Sequence, residues 1–141
     1  MTVYADTSFL VSLYVPDRHS AEAERRLRPR PLVWFTPLHR AEWTHAIHQH
    51  VFQQKMSAGE AQHVLRTLEG DLAKGLWVQS EVPEDAFESC VELARQHCSR
   101  LGVRTLDSLH VASALELKAE RFWTFDERQA KLARLAGLKM V

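Results

Sequence analysis

The feature that most constrains this chain is an alternation of short apolar runs with longer, helix-like stretches. The apolar runs are Val3-Tyr4-Ala5, Leu32-Val33-Trp34-Phe35, Leu76-Trp77-Val78, Phe122-Trp123-Thr124-Phe125 and Leu138-Lys139-Met140-Val141. Runs this short and this apolar read as buried strands. The helix-like patterns include Pro37 to Lys55, Ser57 to Lys74, Glu84 to Leu101, Thr105 to Ala119 and Glu127 to Ala136. Strands alternating with helices predict an α/β fold, a parallel sheet of about five short strands with helices on both faces. The length of 141 residues fits one domain over 1–141, large enough to build a core without metal or disulfide staples.

Several helix ends are legible. Ser57-Ala58-Gly59-Glu60 has the form of a capping box and separates two helices that could otherwise read as one. Pro37 and Pro83 sit where helices begin, and Gly102 and Gly137 follow the last periodic residues. Cys90 and Cys98 lie eight apart in a helical pattern, about 12 Å at ~1.5 Å per residue, beyond disulfide reach, so free thiols are expected. No apolar run approaches the ~20 residues of a membrane span and the N-terminus lacks a signal-peptide layout, which predicts a soluble cytoplasmic protein. Basic and acidic residues both number 18, so no overall cationic field draws in nucleic acid, and any such binding must be local.

Most carboxylates fall among polar residues on helix faces. Four do not: Asp6, Glu42, Asp107 and Asp126. Asp6 ends the first strand and opens an apolar helix, at the sheet edge where open parallel sheets bind ligands. Asp126 repeats that arrangement after Phe122-Trp123-Thr124-Phe125. Either acid alone is explained equally well as a helix N-cap. Asp107 occupies a first helical turn, where the dipole already favours negative charge. Glu42 shares a helix face with Leu38, Ala41 and Ala46, a costly place for a carboxylate unless a cation such as Arg40 or Arg104 pairs with it. Acids gathered at one sheet edge repel one another unless cations offset the charge, so neutralising one should not destabilise the metal-free fold. A hard divalent ion with oxygen ligands is the natural partner, which points to metal-assisted phosphoryl chemistry.

In these residues the chain resembles the PIN-domain ribonucleases, and among them the VapC-like toxins of type II toxin-antitoxin pairs. The resemblance rests on Tyr4-Ala5-Asp6-Thr7-Ser8, on Ala41-Glu42, on Leu106-Asp107-Ser108-Leu109-His110-Val111-Ala112, and on Thr124-Phe125-Asp126, in that order along nearly the whole chain. It implies a PIN-like three-layer α/β/α sandwich and a Mg²⁺- or Mn²⁺-dependent endoribonuclease. It further implies that Asp6, Glu42, Asp107 and Asp126 form the catalytic acid site, with metal on Asp6, Asp107 and Asp126. Ser8 and Thr124 match hydroxyl positions that hold the carboxylates or bound water in place. His110 falls in the same motif, on the helix face of Asp107, and is left outside the catalytic set as a packed or hydrogen-bonded histidine.

The implied partners are an RNA substrate, a small cognate antitoxin and a second copy of the chain. For the homodimer, the segment Phe9 to Val15 and the helix around Trp43, Ile47, Val51 and Phe52 offer more apolar surface than one small sheet needs. Arg25, Arg26 and Arg28 form the densest basic run, with Arg30 beside it. They either complement a helix end or contact RNA phosphate or an acidic antitoxin segment. His39, His45, His48 and His50 crowd one helix, but no cysteine or properly spaced third ligand makes a zinc site. Trp34, Trp43, Trp77 and Trp123 read as core or interface rather than base-stacking platforms. Two rival functions are a catalytically silent PIN-like module that binds RNA or protein, and a haloacid dehalogenase-like phosphatase with Asp6 as nucleophile. The latter typically carries a second Asp two residues on, where this chain has Ser8.

Overall fold

A computed structural model describes residues 1–141. Four strands, β1 (Thr2–Ala5), β2 (Leu32–Phe35), β3 (Val78–Gln79) and β4 (Arg121–Trp123), form one parallel sheet in the order β3-β2-β1-β4. The expected fifth strand is reduced to a single parallel bridge between Arg121 and Lys139. Gly137 leaves α8 in the left-handed region and turns the chain so that only Lys139 comes alongside β4.

Helices fill the crossovers. They are α1 (Thr7–Tyr14), α2 (Ser20–Leu27), α3 (Pro37–Phe52), α4 (Ala58–Ala73), α5 (Ala86–Leu93), α6 (Ser99–Leu101), α7 (Thr105–Glu116) and α8 (Glu127–Leu135). The pattern over Glu84 to Leu101 is helical throughout, but Ala94–Cys98 between α5 and α6 is a π-helical turn. Ser57 accepts a hydrogen bond from Glu60 N at 3.1 Å and starts α4. Gly102 ends α6 in the left-handed region. Both cysteines are free.

Strand periodicity sorts the interior into two cores. Val3, Ala5, Val33, Phe35 and Trp123 point to one face and pack with Phe9, Leu10, Trp43, Ile47 and Leu68 of α1, α3 and α4. Tyr4 and Phe122, one residue out of phase, point to the other and pack with residues of α5, α7 and α8. The result is the expected three-layer α/β/α sandwich, with both sheet faces covered as an all-parallel sheet requires. In the second layer α7 is buried continuously from Ser108 to Ala114. Because β1 has β2 on one side and β4 on the other, crossovers leave it in opposite directions. The crevice at its C-terminal end is the topological switch point where such sheets bind ligands.

The apolar surplus expected to form a dimer interface is mostly consumed by this packing. Phe9, Leu10, Trp43 and Ile47 are core residues, and within those two segments the large exposed side chain is Phe52, at 83%. No helix is long and apolar enough to cross a membrane.

Candidate active site

The chain brings Asp6, Glu42, Asp107 and Asp126 together along one small cleft of about 160 Å³ at the switch point, with Thr7, Ser8, Arg104 and His110. Each acid arrives on a different element. Asp6 ends β1 and caps α1, accepting from Phe9 N at 2.9 Å. Asp126 caps α8, accepting from Gln129 N at 2.8 Å. Asp107 lies in the first turn of α7, and Glu42 in the second turn of α3. The cap explanation for Asp6 and Asp126 is therefore true, and it does not compete with a site: the cap is what holds each carboxylate at the strand end.

Asp6 is the most buried of the four, at 6% exposure. Ser8 Oγ donates to both of its oxygens, at 2.8 and 2.9 Å, and Thr124 Oγ1 donates at 2.9 Å. Thr124 Oγ1 also accepts from Asp126 N at 3.0 Å, tying the two strand ends together. No cation pairs directly with Asp6. Burial pushes its carboxyl above the usual range, although the Phe9, Ser8 and Thr124 hydrogen bonds and the His110 charge pull the other way.

Glu42 departs from expectation. Arg40 pairs instead with Glu69, and Arg104 with Asp107 at 3.3 Å. The partner of Glu42 is His110, whose Nε2 meets Glu42 Oε1 in a short contact. Thr7 Oγ1 donates to the same oxygen at 2.7 Å. On its other side, His110 Nδ1 lies 2.7 Å from the Tyr4 hydroxyl. Nε2 donates to Glu42, and Nδ1 pairs with the Tyr4 hydroxyl, which can either donate or accept. Burial pushes the Glu42 carboxyl up, but the His110 hydrogen bond and charge, with the Thr7 bond, outweigh it, and the net direction is below the ordinary carboxylate range. Mutual repulsion thus does not govern this acid.

His110 is buried and hydrogen-bonded on both ring nitrogens. Its signal was its position, three residues after Asp107 on a helix whose apolar neighbours Leu109, Val111 and Ala112 predict burial. His39 completes the buried polar layer. It accepts from Thr36 N at Nδ1, 3.0 Å, and donates from Nε2 to Ala5 O, 2.8 Å. Burial, with the His110 charge, lowers its pKa to about 3, against weaker opposing effects of Ala5 and Glu42. His45 and His48 are exposed, and His50 is half-buried with Nδ1 bonded to Ala46 O.

Arg25, Arg26 and Arg28 close α2 and none lines the acid cleft. Arg25 and Arg26 pair with Glu22, and the Arg26 guanidinium lies over the Trp123 and Phe125 rings. Trp43, at 2% exposure, is core.

The donor set fits a hard divalent ion, since it offers carboxylate oxygens alone and its most buried member is in no direct ion pair. No three His, Cys, Asp or Glu side chains stand close enough to hold an ion as one group. The fit is accordingly to an ion that keeps several waters and takes one or two carboxylates directly, the usual habit of Mg²⁺.

A family model for the PIN domain matches residues 3–135. Among solved structures, VapC20 from Mycobacterium tuberculosis, a Sarcin-Ricin loop cleaving toxin, is similar with a TM-score of 0.71 at 18% identity, covering 99% of this chain and 98% of that one. FitAcB from Neisseria gonorrhoeae is similar with a TM-score of 0.70 at 14% identity, covering 98% and 95%. VapBC2 from Rickettsia felis, bound to a promoter DNA fragment, gives 0.66 at 17% identity, covering 100% and 98%. No curated protein matches the chain in sequence. These likenesses bear on the fold, and the family model spans all four acids with their supporting hydroxyls. The chain belongs to the PIN-domain family.

Proposed function

We propose that this protein is a Mg²⁺- or Mn²⁺-dependent endoribonuclease and the toxin of a VapBC-type toxin-antitoxin pair. The observation that carries the reading is the convergence of Asp6, Glu42, Asp107 and Asp126 on one cleft at the switch point, with Asp6 buried and in no direct ion pair. A divalent ion bound there would supply charge neutralisation at a phosphodiester and lower the pKa of an attacking water. Asp6, Asp107 and Asp126 would hold it, one or two of them directly. Glu42, kept ionised by His110 and Thr7, is placed to accept a proton from the attacking water. Ser8 and Thr124 fix the Asp6 carboxylate, so that little reorganisation accompanies the reaction.

The decisive assay is cleavage of defined RNA by the purified chain in Mg²⁺ or Mn²⁺. Cleavage that stops with EDTA and in Asp6→Asn and Asp107→Asn supports the reading. Metal-independent cleavage overturns it, and binding without cleavage leaves the silent module.

The partners follow from the same reading. The exposed Phe87 and Val91, four apart on α5, replace the consumed segments as the apolar basis for a homodimer. A small antitoxin inhibits the chain in a toxin-antitoxin pair. Light scattering and titration with the product of the adjacent small gene test the two claims separately.

A further inference from the structure

Beside the acid cleft runs a second, larger groove of about 510 Å³, which shares Thr7, Ser8, Glu42 and Asp126 with it. Its wall includes an aromatic column. Phe125 stacks on His19 at 4.2 Å between ring centroids and 5° between planes. Behind it, Phe125 stacks on Phe9 at 5.3 Å and 14°, and Phe9 in turn meets Trp123 at 5.2 Å. The column therefore starts in the core and ends at the partly exposed His19 ring.

We propose that the His19–Phe125 pair is a stacking platform for an unpaired base of a single-stranded RNA whose backbone crosses the acid cleft. The proposal rests on the nuclease reading for that backbone path and deepens it by assigning a base subsite.

Three observations support it. First, the platform is pre-organised, which lowers the ordering cost of binding. Asp17 Oδ1 accepts from His19 N at 2.7 Å, Asp17 Oδ2 accepts from Ser12 Oγ at 2.8 Å, and Asp17 N donates to Ser20 Oγ at 2.8 Å, so the turn carrying His19 is tied to α1. Second, cations flank it although the chain has no net charge. The Arg26 guanidinium lies 5.7 Å from the Phe125 centroid, and Arg18 Nε donates to His19 Nε2 at 3.3 Å. Aromatic faces beside arginines are the usual components of single-strand platforms. Third, of 11 lining residues only Val11, Ala46 and Phe125 are apolar. An amphipathic protein helix requires a broadly apolar groove, whereas a base requires one flat face and polar surroundings.

The test uses an oligouridine carrying one 2-aminopurine, scanned along the strand and bound to the cleavage-impaired Asp6→Asn variant in Mg²⁺. Stacking quenches the fluorophore at one or two positions. His19→Ala in that background should abolish the quench and weaken binding roughly 5- to 150-fold, the range for losing one stacked base. His19→Tyr, which keeps a flat face, should retain both. In an otherwise wild-type chain, His19→Ala should raise KM with kcat nearly unchanged. No quench at any position, or His19→Ala binding like its parent, overturns the platform and leaves the groove to a protein segment. Cleavage without the quench removes the platform alone, and quench without wild-type cleavage removes the nuclease reading alone.

Discussion

The two helical layers cover the same sheet with different materials. The layer of α1 to α4 packs large rings, among them Phe9, Trp43 and Trp77. The layer of α5 to α8 packs small groups tightly, with Ala112, Ser113, Ala114 and Ala133 fully enclosed. Past the strand ends the layers meet through polar groups: Glu42 from α3 touches His110 from α7, and His110 touches Tyr4 from β1. The comparison teaches where the chemistry can reside. Apolar packing fixes each layer against the sheet, and the acids sit on the seam, so the cleft is assembled only when both layers are in place.

The largest expected effect separates the layers by how they fail. Trp43→Ala opens a cavity in the first and should cost about 3–5 kcal/mol. The α7 counterpart, Ala114→Leu, overfills the second and should cost about 1–3 kcal/mol. Chemical denaturation measures both. If Ala114→Leu is neutral, the second layer is looser than its burial indicates and the contrast collapses.

The seam should respond in activity rather than stability. Asp6→Asn removes the charge and keeps the shape, and cleavage of RNA should fall roughly 10²–10³-fold, on the scale of losing one preorganised electrostatic group. Because burial raises the Asp6 carboxyl, the ionised form is a burden on the metal-free fold, so the apo melting temperature should hold or rise. A drop of several degrees would make Asp6 structural.

The layers differ too in how much of them the sequence disclosed. Strands buried on both faces write themselves as apolar runs, so β1, β2 and β4 were legible, and capping residues marked α3 and α4. Lys139, half of the expected last strand's only pairing, shows the limit: local pattern reports propensity, while pairing depends on what stands alongside. That the four acids would converge was legible, since Asp6 and Asp126 follow strands, Glu42 lies in an apolar stripe and Asp107 opens a helix. The His110–Glu42 pair was not, because its 68-residue separation is a property of the assembled seam. Nor was the His19–Phe125 stack, since neither residue is unusual in its own segment.

His39 offers a pH reading of the seam. Its folded pKa near 3 lies below the ordinary value of 6.5, so the neutral ring contributes fully above pH 6.5. As pH falls from 6.5 towards 3, the unfolded chain takes up a proton that the fold refuses. Stability should decline by about 1.4 kcal/mol per pH unit from this group, or ~2 kcal/mol by pH 5. In His39→Gln that slope should vanish, whatever the change in absolute stability, and an unchanged slope would assign the decline elsewhere.

The pairing across the seam is open to a double-mutant cycle of Glu42→Gln and His110→Gln. Glu42 keeps 27% side-chain exposure, which places the coupling low in the range for contacting residues, at about 1 kcal/mol. Zero coupling would mean that the two layers meet without gripping.

The smallest effect concerns Arg104, which lines the acid cleft and pairs with Asp107 while its own side chain is 84% exposed. Exposed pairs of this kind contribute only about 0.2–1 kcal/mol, so Arg104→Gln should leave the melting temperature nearly unchanged. Its guanidinium nevertheless competes for the carboxylate that a divalent ion would use. Removing it should let half-maximal cleavage occur at a few-fold lower Mg²⁺, the scale of a charge interaction of about 1 kcal/mol. A higher Mg²⁺ requirement would instead make Arg104 a support that orients Asp107 for the ion. The seam would then include a cation of its own, and the contrast between an apolar interior and an acid edge would have to be redrawn around a mixed-charge one.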